Sequence, residues 1–253
     1  MDAALELHSV LDADWGSAED ALKAVLLTSE LRSEVLACIN EFVDEMSENY
    51  KAIAGQALEQ IHTNEIILTT GRSSTVVSFL IAAAAKRKFE VIVAETAPGY
   101  EGHKAAKLLQ QKGISTTVIS DSAVFALMSR VNKVIIGTHT VMANGGLLAW
   151  SGMHGLASAA HHHSVPVVVC TGRYKMSPLY PHDLPCPTDF ANPADVLPAT
   201  EAGTMRDVDV LNPTFDYIPP ELVSLYITNE GGSSPSYIYR LLAEYYHAAD
   251  VQL

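Results

Sequence analysis

The 253-residue sequence lacks the apolar run of about 18 residues that a membrane-spanning helix requires. Its first residues, Met-Asp-Ala-Ala-Leu-Glu, contain no basic segment before an apolar core, so we expect no secretory signal. Cysteine is scarce, and the three present (Cys38, Cys170 and Cys186) are widely spaced without a CxxC pair. An odd number of isolated cysteines predicts no disulfide framework and suits a reducing compartment. We therefore expect a cytoplasmic protein without a membrane segment.

Positive charge is also scarce, with 16 lysines and arginines against 29 acidic residues and a net charge of −13. Such a surface repels phosphate backbones, so we expect no direct binding to nucleic acid through a general basic face. The basic run Lys86-Arg87-Lys88 ends a predicted helix, where cations complement the helix dipole. We favour that structural interpretation over a binding patch.

What the sequence contains is a helical lead followed by alternating strands and helices. Residues 1–62 show apolar side chains at helical spacing only, which predicts one long or bent amphipathic helix from about 29 to 62. From residue 63 onward, short strands that are apolar on both faces alternate with helices, which predicts an α/β fold: a parallel sheet covered by helices. The predicted strands are 65–70, 90–95, 115–120, 132–137, 165–170 and 225–228, and the predicted helices are 73–86, 101–112, 121–130, 147–162 and one that begins near 234.

Proline is concentrated in one segment, because nine of the twelve prolines fall between Pro178 and Pro220. The stretch at about 176–214 is too long and too rich in Pro, Asp and Thr to be a packed element, so we predict an extended excursion over the surface. The domain prediction is therefore a helical region at 1–62 and an α/β domain at 63–253 that carries this excursion.

Four predicted strands end in small polar clusters: Thr69–Ser73, Glu95–Pro98, Ser120–Ser122 and Gly137–His139. In an open parallel sheet, ligands bind beyond the carboxyl ends of the strands, so we expect these clusters to converge on one crevice. The first cluster is neither a GxGxxG motif nor a Walker loop. For it we favour a structural turn with a helix N-cap over an anion site.

Three other features have a structural and a chemical interpretation. We expect Asp121 to cap the helix at 122–130, with acid–base catalysis as the alternative. Adjacent histidines on a helix point about 100° apart, so His161-His162-His163 predicts the end of a helix and not a metal site. Cys170 ends a strand without an obvious paired base, which favours a buried structural thiol over a nucleophile.

Two longer stretches resemble the regulatory subunits of eukaryotic translation initiation factor 2B. The first runs from Val124 to Thr138 and is followed by Asn144-Gly145-Gly146. The second comprises Phe215–Leu222, Asn229–Gly232 and Pro235–Leu241. The resemblance covers about residues 30–253 and is strongest to the beta branch of the family. Relative to that branch, we expect the N-terminal helical region to be shortened.

The resemblance implies a Rossmann-like domain that shares ancestry with sugar-phosphate aldose–ketose isomerases, such as methylthioribose-1-phosphate isomerase. The catalytic cysteine of those isomerases matches Gly71, their catalytic aspartate matches His139, and their phosphate-gripping arginine matches Ala97. Their Asn-Gly-Asp motif reads Asn144-Gly145-Gly146 here, and the Asn-Lys that follows reads Ala149-Trp150. Because loss of a catalytic pair costs many orders of magnitude in rate, the resemblance implies a vestigial pocket without catalytic residues. Its residues are Gly71, Arg72, Glu95, Asp121, His139 and Asn144.

The resemblance further implies a non-catalytic regulatory and scaffold subunit of the guanine-nucleotide exchange factor for translation initiation factor 2, without cofactor or metal. The implied partners are the delta, alpha, gamma and epsilon subunits of initiation factor 2B and initiation factor 2 itself, whose phosphorylated alpha subunit the complex senses.

The C-terminal region is rich in tyrosine, as stable interfaces are, although tyrosines that close the domain core are an equal alternative. The candidate interface residues are Asp216, Tyr217, Pro219, Pro220, Glu221, Tyr237, Tyr239 and Arg240. Two other functions stay open: an active sugar-phosphate isomerase in which His139 retains acid–base work, and a metabolite sensor that uses the old crevice without chemistry.

Overall fold

A computed structural model describes residues 18–181, 189–198 and 208–246, with side chains from residue 31 onward. Cys186 and much of the predicted excursion, at 182–188 and 199–207, lie outside these ranges. The chain divides into two compact units after Glu48. A single helix crosses that division, so the domain boundary at 62 stays a prediction. Within the described ranges, no helix is both long and apolar enough to span a lipid bilayer.

The helical lead consists of α1 (Ala18–Gly55) and the short α2 (Ala57–Gln60). The predicted helix from 29 to 62 therefore begins earlier than expected and is interrupted at Gln56. Ile53 and Ala57 are buried in the core of the second unit, which explains the apolar spacing that continues to the end of the lead.

The second unit is built on a seven-stranded sheet in the order β10-β9-β7-β4-β1-β2-β3. All pairs are parallel except β9–β10, which is antiparallel at one edge. This confirms the predicted parallel sheet. Its strands are β1 (Ile66–Thr70), β2 (Glu90–Ala94), β3 (Ser115–Ile119), β4 (Lys133–Gly137), β7 (Val167–Cys170), β9 (Leu225–Thr228) and β10 (Gly231–Ser233).

Helices cover both faces of the sheet. Successive residues of a strand point to opposite faces, so each strand contributes side chains to both layers. Ile67 and Ile135 belong to one hydrophobic core, whereas their neighbours Leu68 and Ile136 belong to the other. The first core includes residues of α3 (Ser74–Ala84) and α4 (Glu101–Gln111), and the second includes residues of α5 (Val124–Leu127), α6 (Met153–His162) and α7 (Ile238–Tyr245). The strands read as apolar on both faces for this reason.

A second, antiparallel sheet in the order β5-β6-β8 was not predicted. It joins β5 (Thr140–Val141), β6 (Leu147–Trp150) and β8 (Phe215–Ile218). The predicted helix at 147–162 is therefore wrong at its start: α6 begins only at Met153, after the left-handed Gly152. The residues of β6 alternate between buried and more exposed, which is the period of a strand.

The predicted helix at 121–130 is a series of short turns, with α5 between two 3₁₀ turns, Asp121–Ala123 and Met128–Arg130. Within the described part of the excursion, Pro193–Asp195 forms a 3₁₀ turn and Phe190 bridges Pro213. Such turns are short connecting structures, and the extended excursion over the surface stays a prediction.

Candidate functional site

Two adjoining cavities lie at the carboxyl ends of β1, β2 and β3. The first has a volume of about 440 Å³ and is lined by Thr70, Thr96 and Asp121, among others. The second, of about 400 Å³, is lined by Gly71 and Trp150, among others. Three of the four strand-end clusters therefore converge as predicted.

Asp121 connects the end of β3 to the loop after β2. Its carboxylate accepts hydrogen bonds from the backbone N–H groups of Thr96 (2.9 Å) and Ala97 (2.7 Å). The prediction that Asp121 is a helix cap is wrong, because the capping position of its 3₁₀ turn is Ser120. The carboxylate instead binds the backbone just after β2. This contact forms because β2 and β3 are neighbours in the sheet.

Thr96 joins the ends of β1 and β2, and sequence reasoning noted it only as one member of its cluster. Its hydroxyl accepts a hydrogen bond from the Gly71 N–H (2.7 Å), donates to the Ala94 carbonyl (3.2 Å) and lies 3.0 Å from the Thr70 hydroxyl. Thr96 has a positive φ of 61°, which is uncommon for a threonine. The signal available in the sequence was its position directly after a buried strand.

The first strand-end cluster forms the structural turn that the sequence predicted. The Ser73 hydroxyl accepts from the N–H of Val76 and so caps α3. Gly71 has a φ of +68°, and a Cβ added there would meet no atom closer than Met153 Cε at 3.8 Å. The position that matches the isomerase cysteine is therefore sterically open, but its backbone conformation disfavours any side chain.

Arg72 and Glu95 form surface contacts. A guanidinium nitrogen of Arg72 lies 3.8 Å from the Glu101 carboxylate, and both side chains are substantially exposed. The Glu95 carboxylate lies 3.6 Å from Nε2 of His103 and does not line either cavity. Exposed pairs of this kind contribute little to stability.

His139 belongs to a different neighbourhood from the other predicted pocket residues. The ring of this exposed side chain stacks on the ring of Phe215, with the two centroids 4.4 Å apart. The ring centroids of Phe215 and Trp150 lie 5.4 Å apart. The backbone N–H of His139 donates to the Leu148 carbonyl. The fourth cluster therefore pairs with the small sheet. Its link to the second cavity is the row of aromatic rings from His139 through Phe215 to Trp150, which lines that cavity.

Asn144 is engaged in a tight turn beside Tyr217. Its side-chain amide donates to the Tyr217 hydroxyl (2.6 Å), and its oxygen accepts from the Gly146 N–H (3.0 Å). A Cβ at Gly146 would lie 2.5 Å from the Tyr217 hydroxyl oxygen. The tyrosine thus occupies the space into which the aspartate of an Asn-Gly-Asp motif would project.

Two groups that could have carried chemistry, the buried Cys170 and the half-buried Lys175, lie outside the cavities. Burial raises the pKa of the Cys170 thiol far above its ordinary value, so this cysteine is the buried thiol that the sequence favoured. Burial lowers the pKa of Lys175, whose ammonium group donates to the Thr138 carbonyl at 2.8 Å.

Helix α6 ends at His162 as predicted, and the described residues contain no group of three ligands suited to a metal ion.

The candidate interface residues fall into two sets. Asp216 and Tyr217 make internal bonds, since the Asp216 carboxylate accepts from the backbone of Gly152 and His154 at the start of α6. Pro219 and Pro220 are half-buried beside them. The exposed members are Glu221, Tyr237, Tyr239 and Arg240.

Three tyrosines border a groove at the C-terminal end of the domain, and of these Tyr239 is exposed. The groove has a volume of about 360 Å³ and is lined by Pro178, Tyr180, Tyr239, Leu242 and Tyr246, among others. Tyr239 is 61% exposed. Tyr226, by contrast, closes the domain core, because it is fully buried and its hydroxyl donates to the Gly145 carbonyl. The interface role of the exposed tyrosines stays a prediction.

Comparison with known proteins identifies the family. The initiation factor 2 subunit family matches residues 7–235. Translation initiation factor eIF2B subunit beta of Dictyostelium discoideum is 57% identical over 221 residues, which cover 87% of this chain and 57% of that protein. Translation initiation factor eIF2B subunit beta of Schizosaccharomyces pombe is 48% identical over 226 residues, which cover 88% of this chain and 58% of that protein.

A similar chain occurs in the crystal structure of the tetrameric eIF2B-beta2-delta2 complex from C. thermophilum. It aligns with a TM-score of 0.63 and 37% identity, covering 86% of this chain and 67% of that one. The present chain spans 57% and 58% of the length of the two curated relatives. Since the family match extends over most of the sequence, the chain belongs to the initiation factor 2 subunit family.

Proposed function

We propose that this chain is a regulatory and scaffold subunit, without catalytic activity of its own, of the guanine-nucleotide exchange factor for translation initiation factor 2. The observation that carries the proposal is its 57% identity to a protein named as the beta subunit of that factor. The chain of the beta2-delta2 complex supports the same assignment.

The crevice supports the absence of catalysis. Gly71 has no side chain to act as an acid or nucleophile, and Ala97 has no charge for a phosphate; both line the second cavity. Tyr217, which lines neither cavity, fills the space beside Gly146. Enzymes obtain most of their rate enhancement from groups positioned around the reacting atoms. Without these groups, the cavities retain volume but not the chemistry of an isomerase.

The groove beside Tyr239 is the surface best suited to assembly. Exposed tyrosine next to an apolar groove is typical of residues that carry binding energy, and Arg240 extends the same surface. By this proposal the first partner is the delta subunit, and the alpha, gamma and epsilon subunits join the assembly in the cytoplasm. The assembled complex would bind initiation factor 2 and sense its phosphorylated alpha subunit, without direct contact with nucleic acid.

Association with the delta subunit tests the proposal directly. The purified chain and the delta subunit from the same source are mixed at about 10 μM each, well above the dissociation constant of a stable complex, and analysed by native mass spectrometry. We expect a complex with equal numbers of the two subunits. If both chains stay separate, the scaffold proposal fails.

The two cavities favour a metabolite sensor as the second candidate function, because they keep about 440 and 400 Å³ of space at the strand ends. Titration calorimetry with sugar phosphates and nucleotides tests it, and no heat at millimolar ligand would remove it. An isomerase is tested by incubation with pentose 1-phosphates. Ketose formation that a His139→Ala change abolishes would overturn the non-catalytic assignment.

A further inference from the structure

Positive charge is concentrated in one segment of this acidic chain. Residues 86–133 contain eight of the 16 lysines and arginines but only four acidic residues, so this segment has a net charge of +4 within a chain of −13. Helix α3 ends at Ala84, two residues earlier than predicted, and Lys86–Lys88 follow directly after its C-terminal turn, where the N–H groups of Lys86 and Arg87 donate to the Ala83 carbonyl.

The same segment contains an unpaired sheet edge. Among the described residues, β3 pairs with β2 alone, so its other side is free. The Ile119 carbonyl accepts from Glu95, which places Ile119 and the alternate residue Thr117 toward β2. Since peptide groups alternate along a strand, those of Thr116 and Val118 point outward. Val118 is also 44% exposed, so an incoming strand would find an apolar side chain as well as a free backbone edge.

Lysines surround this edge. Lys112 directly follows α4 and lies three residues before β3, and Lys88 lies two residues before β2. The register pairs Glu90 with Ser115, which brings both lysines to one corner of the sheet. Lys107 lies on the exposed side of α4, the helix that packs on β3. Lys88, Lys107 and Lys112 form no ion pair with any residue in the described ranges.

We propose that the outer edge of β3 is a docking site for an extended, acidic segment of a partner protein. The segment adds a strand to the sheet through the backbone of Thr116 and Val118, and its carboxylates lie beside Lys107 and Lys112. Strand addition uses main-chain hydrogen bonds for affinity and alternate side chains for specificity. A nucleic acid would use the lysines but not the free peptide groups or the apolar side chain of Val118, so the edge fits a peptide better.

Fluorescence anisotropy with the full chain tests this proposal. The probe is a labelled ten-residue peptide of alternating glutamate and valine. We expect saturable binding, and we expect Val118→Pro to weaken it at least about tenfold, because proline removes an outward N–H and leaves the bonds to β2 intact. Lys107→Glu should weaken it by a similar factor. Lys51→Glu changes the net charge equally on the exposed side of α1 and should leave affinity within about twofold.

Backbone hydrogen exchange gives a second readout that does not depend on any variant. Adding the glutamate–valine peptide should slow exchange at the amides of Thr116 and Val118, whereas the amides of Thr117 and Ile119 already face β2 and should change less. Unchanged exchange at Thr116 and Val118 would overturn the proposal.

Three binding results would also overturn it. The first is the absence of saturable binding, in which case the lysines act only to keep this edge from pairing with other chains. The second is equal affinity for a lysine–valine peptide, or a loss with Lys107→Glu but none with a folded Val118→Pro variant. The third is tighter binding of a 12-nucleotide oligouridylate, which would assign the basic surface to nucleic acid.

Discussion

Tyr217 determines which side chain position 146 accepts. Because a Cβ at Gly146 would lie 2.5 Å from the tyrosine hydroxyl oxygen, Gly146→Asp forces the ring or the turn to move. We expect the free energy of unfolding to fall by about 2–3 kcal/mol, the cost of an overpacked site with a displaced hydrogen bond. Urea denaturation of the purified variant measures this change.

A control for Gly146→Asp is Gly155→Ala. Gly155 lies in α6 with no atom within 4 Å of an added Cβ, so alanine should leave stability unchanged or raise it by up to about 1 kcal/mol. In a Tyr217→Ala background the penalty of Gly146→Asp should shrink, since the obstructing ring is gone. An equal penalty in both backgrounds would show that Tyr217 is not the cause.

Cys170 makes stability depend on alkaline pH. Burial raises the pKa of its thiol above the ordinary value of 9.0, so the folded state holds the proton more tightly than the unfolded state. The protonated thiol therefore stabilises the folded state fully below pH 9. As the pH rises above 9, the free energy of unfolding falls by about 1.4 kcal/mol per pH unit, because the unfolded state loses the proton first. We expect Cys170→Ala to remove this slope in denaturation curves between pH 8 and 10.

Cys38→Ala is the matched control for the pH experiment, because Cys38 is exposed. It should leave the slope as it is in the parent chain. Identical slopes in the parent and in Cys170→Ala would contradict the assignment of the slope to the buried thiol.

Among secondary-structure elements, α6 depends on β8 for its N-terminus. The Asp216 carboxylate accepts from the N–H groups of Gly152 (2.6 Å) and His154 (3.3 Å), which would otherwise lack partners at the start of the helix. Asp216→Ala should lower the free energy of unfolding by about 1–2 kcal/mol, as loss of a helix cap does. Chemical denaturation measures this.

Glu221→Ala provides the comparison for Asp216→Ala. Glu221 is exposed and forms no hydrogen bond or ion pair with the described part of the chain, so its removal should change stability by less than about 0.5 kcal/mol. Equal effects of the two substitutions would mean that the carboxylate of Asp216 does not stabilise α6.

For the molecule as a whole, the prediction concerns assembly and depends on the proposed function. Tyr239 is 61% exposed beside the C-terminal groove. If this groove receives the delta subunit, Tyr239→Ala should weaken association by about 10- to 100-fold, the effect of losing an aromatic anchor worth about 1–3 kcal/mol. Phe125→Ala removes another exposed aromatic, at the first cavity, and should leave association unchanged. Titration followed by mass photometry compares them.

The sequence by itself determined the class of fold and the family. Strands such as β1, β4 and β7 are apolar on both faces because helices cover both sides of the sheet, and that pattern is local to each strand. It also identified the strand ends that line the cavities, since in a parallel sheet all carboxyl ends share one edge.

Only the tertiary structure decided what the individual side chains contact. Asp121 bonds to Thr96 and Ala97, 25 and 24 residues away, and Asn144 bonds to Tyr217, 73 residues away. The strand β6 forms because β8 lies beside it, although the surrounding sequence reads as a helix. Periodicity shows only which residues of one element are buried. Contacts between distant segments, including the one between Tyr217 and the turn at Gly146, therefore follow only from the packed chain.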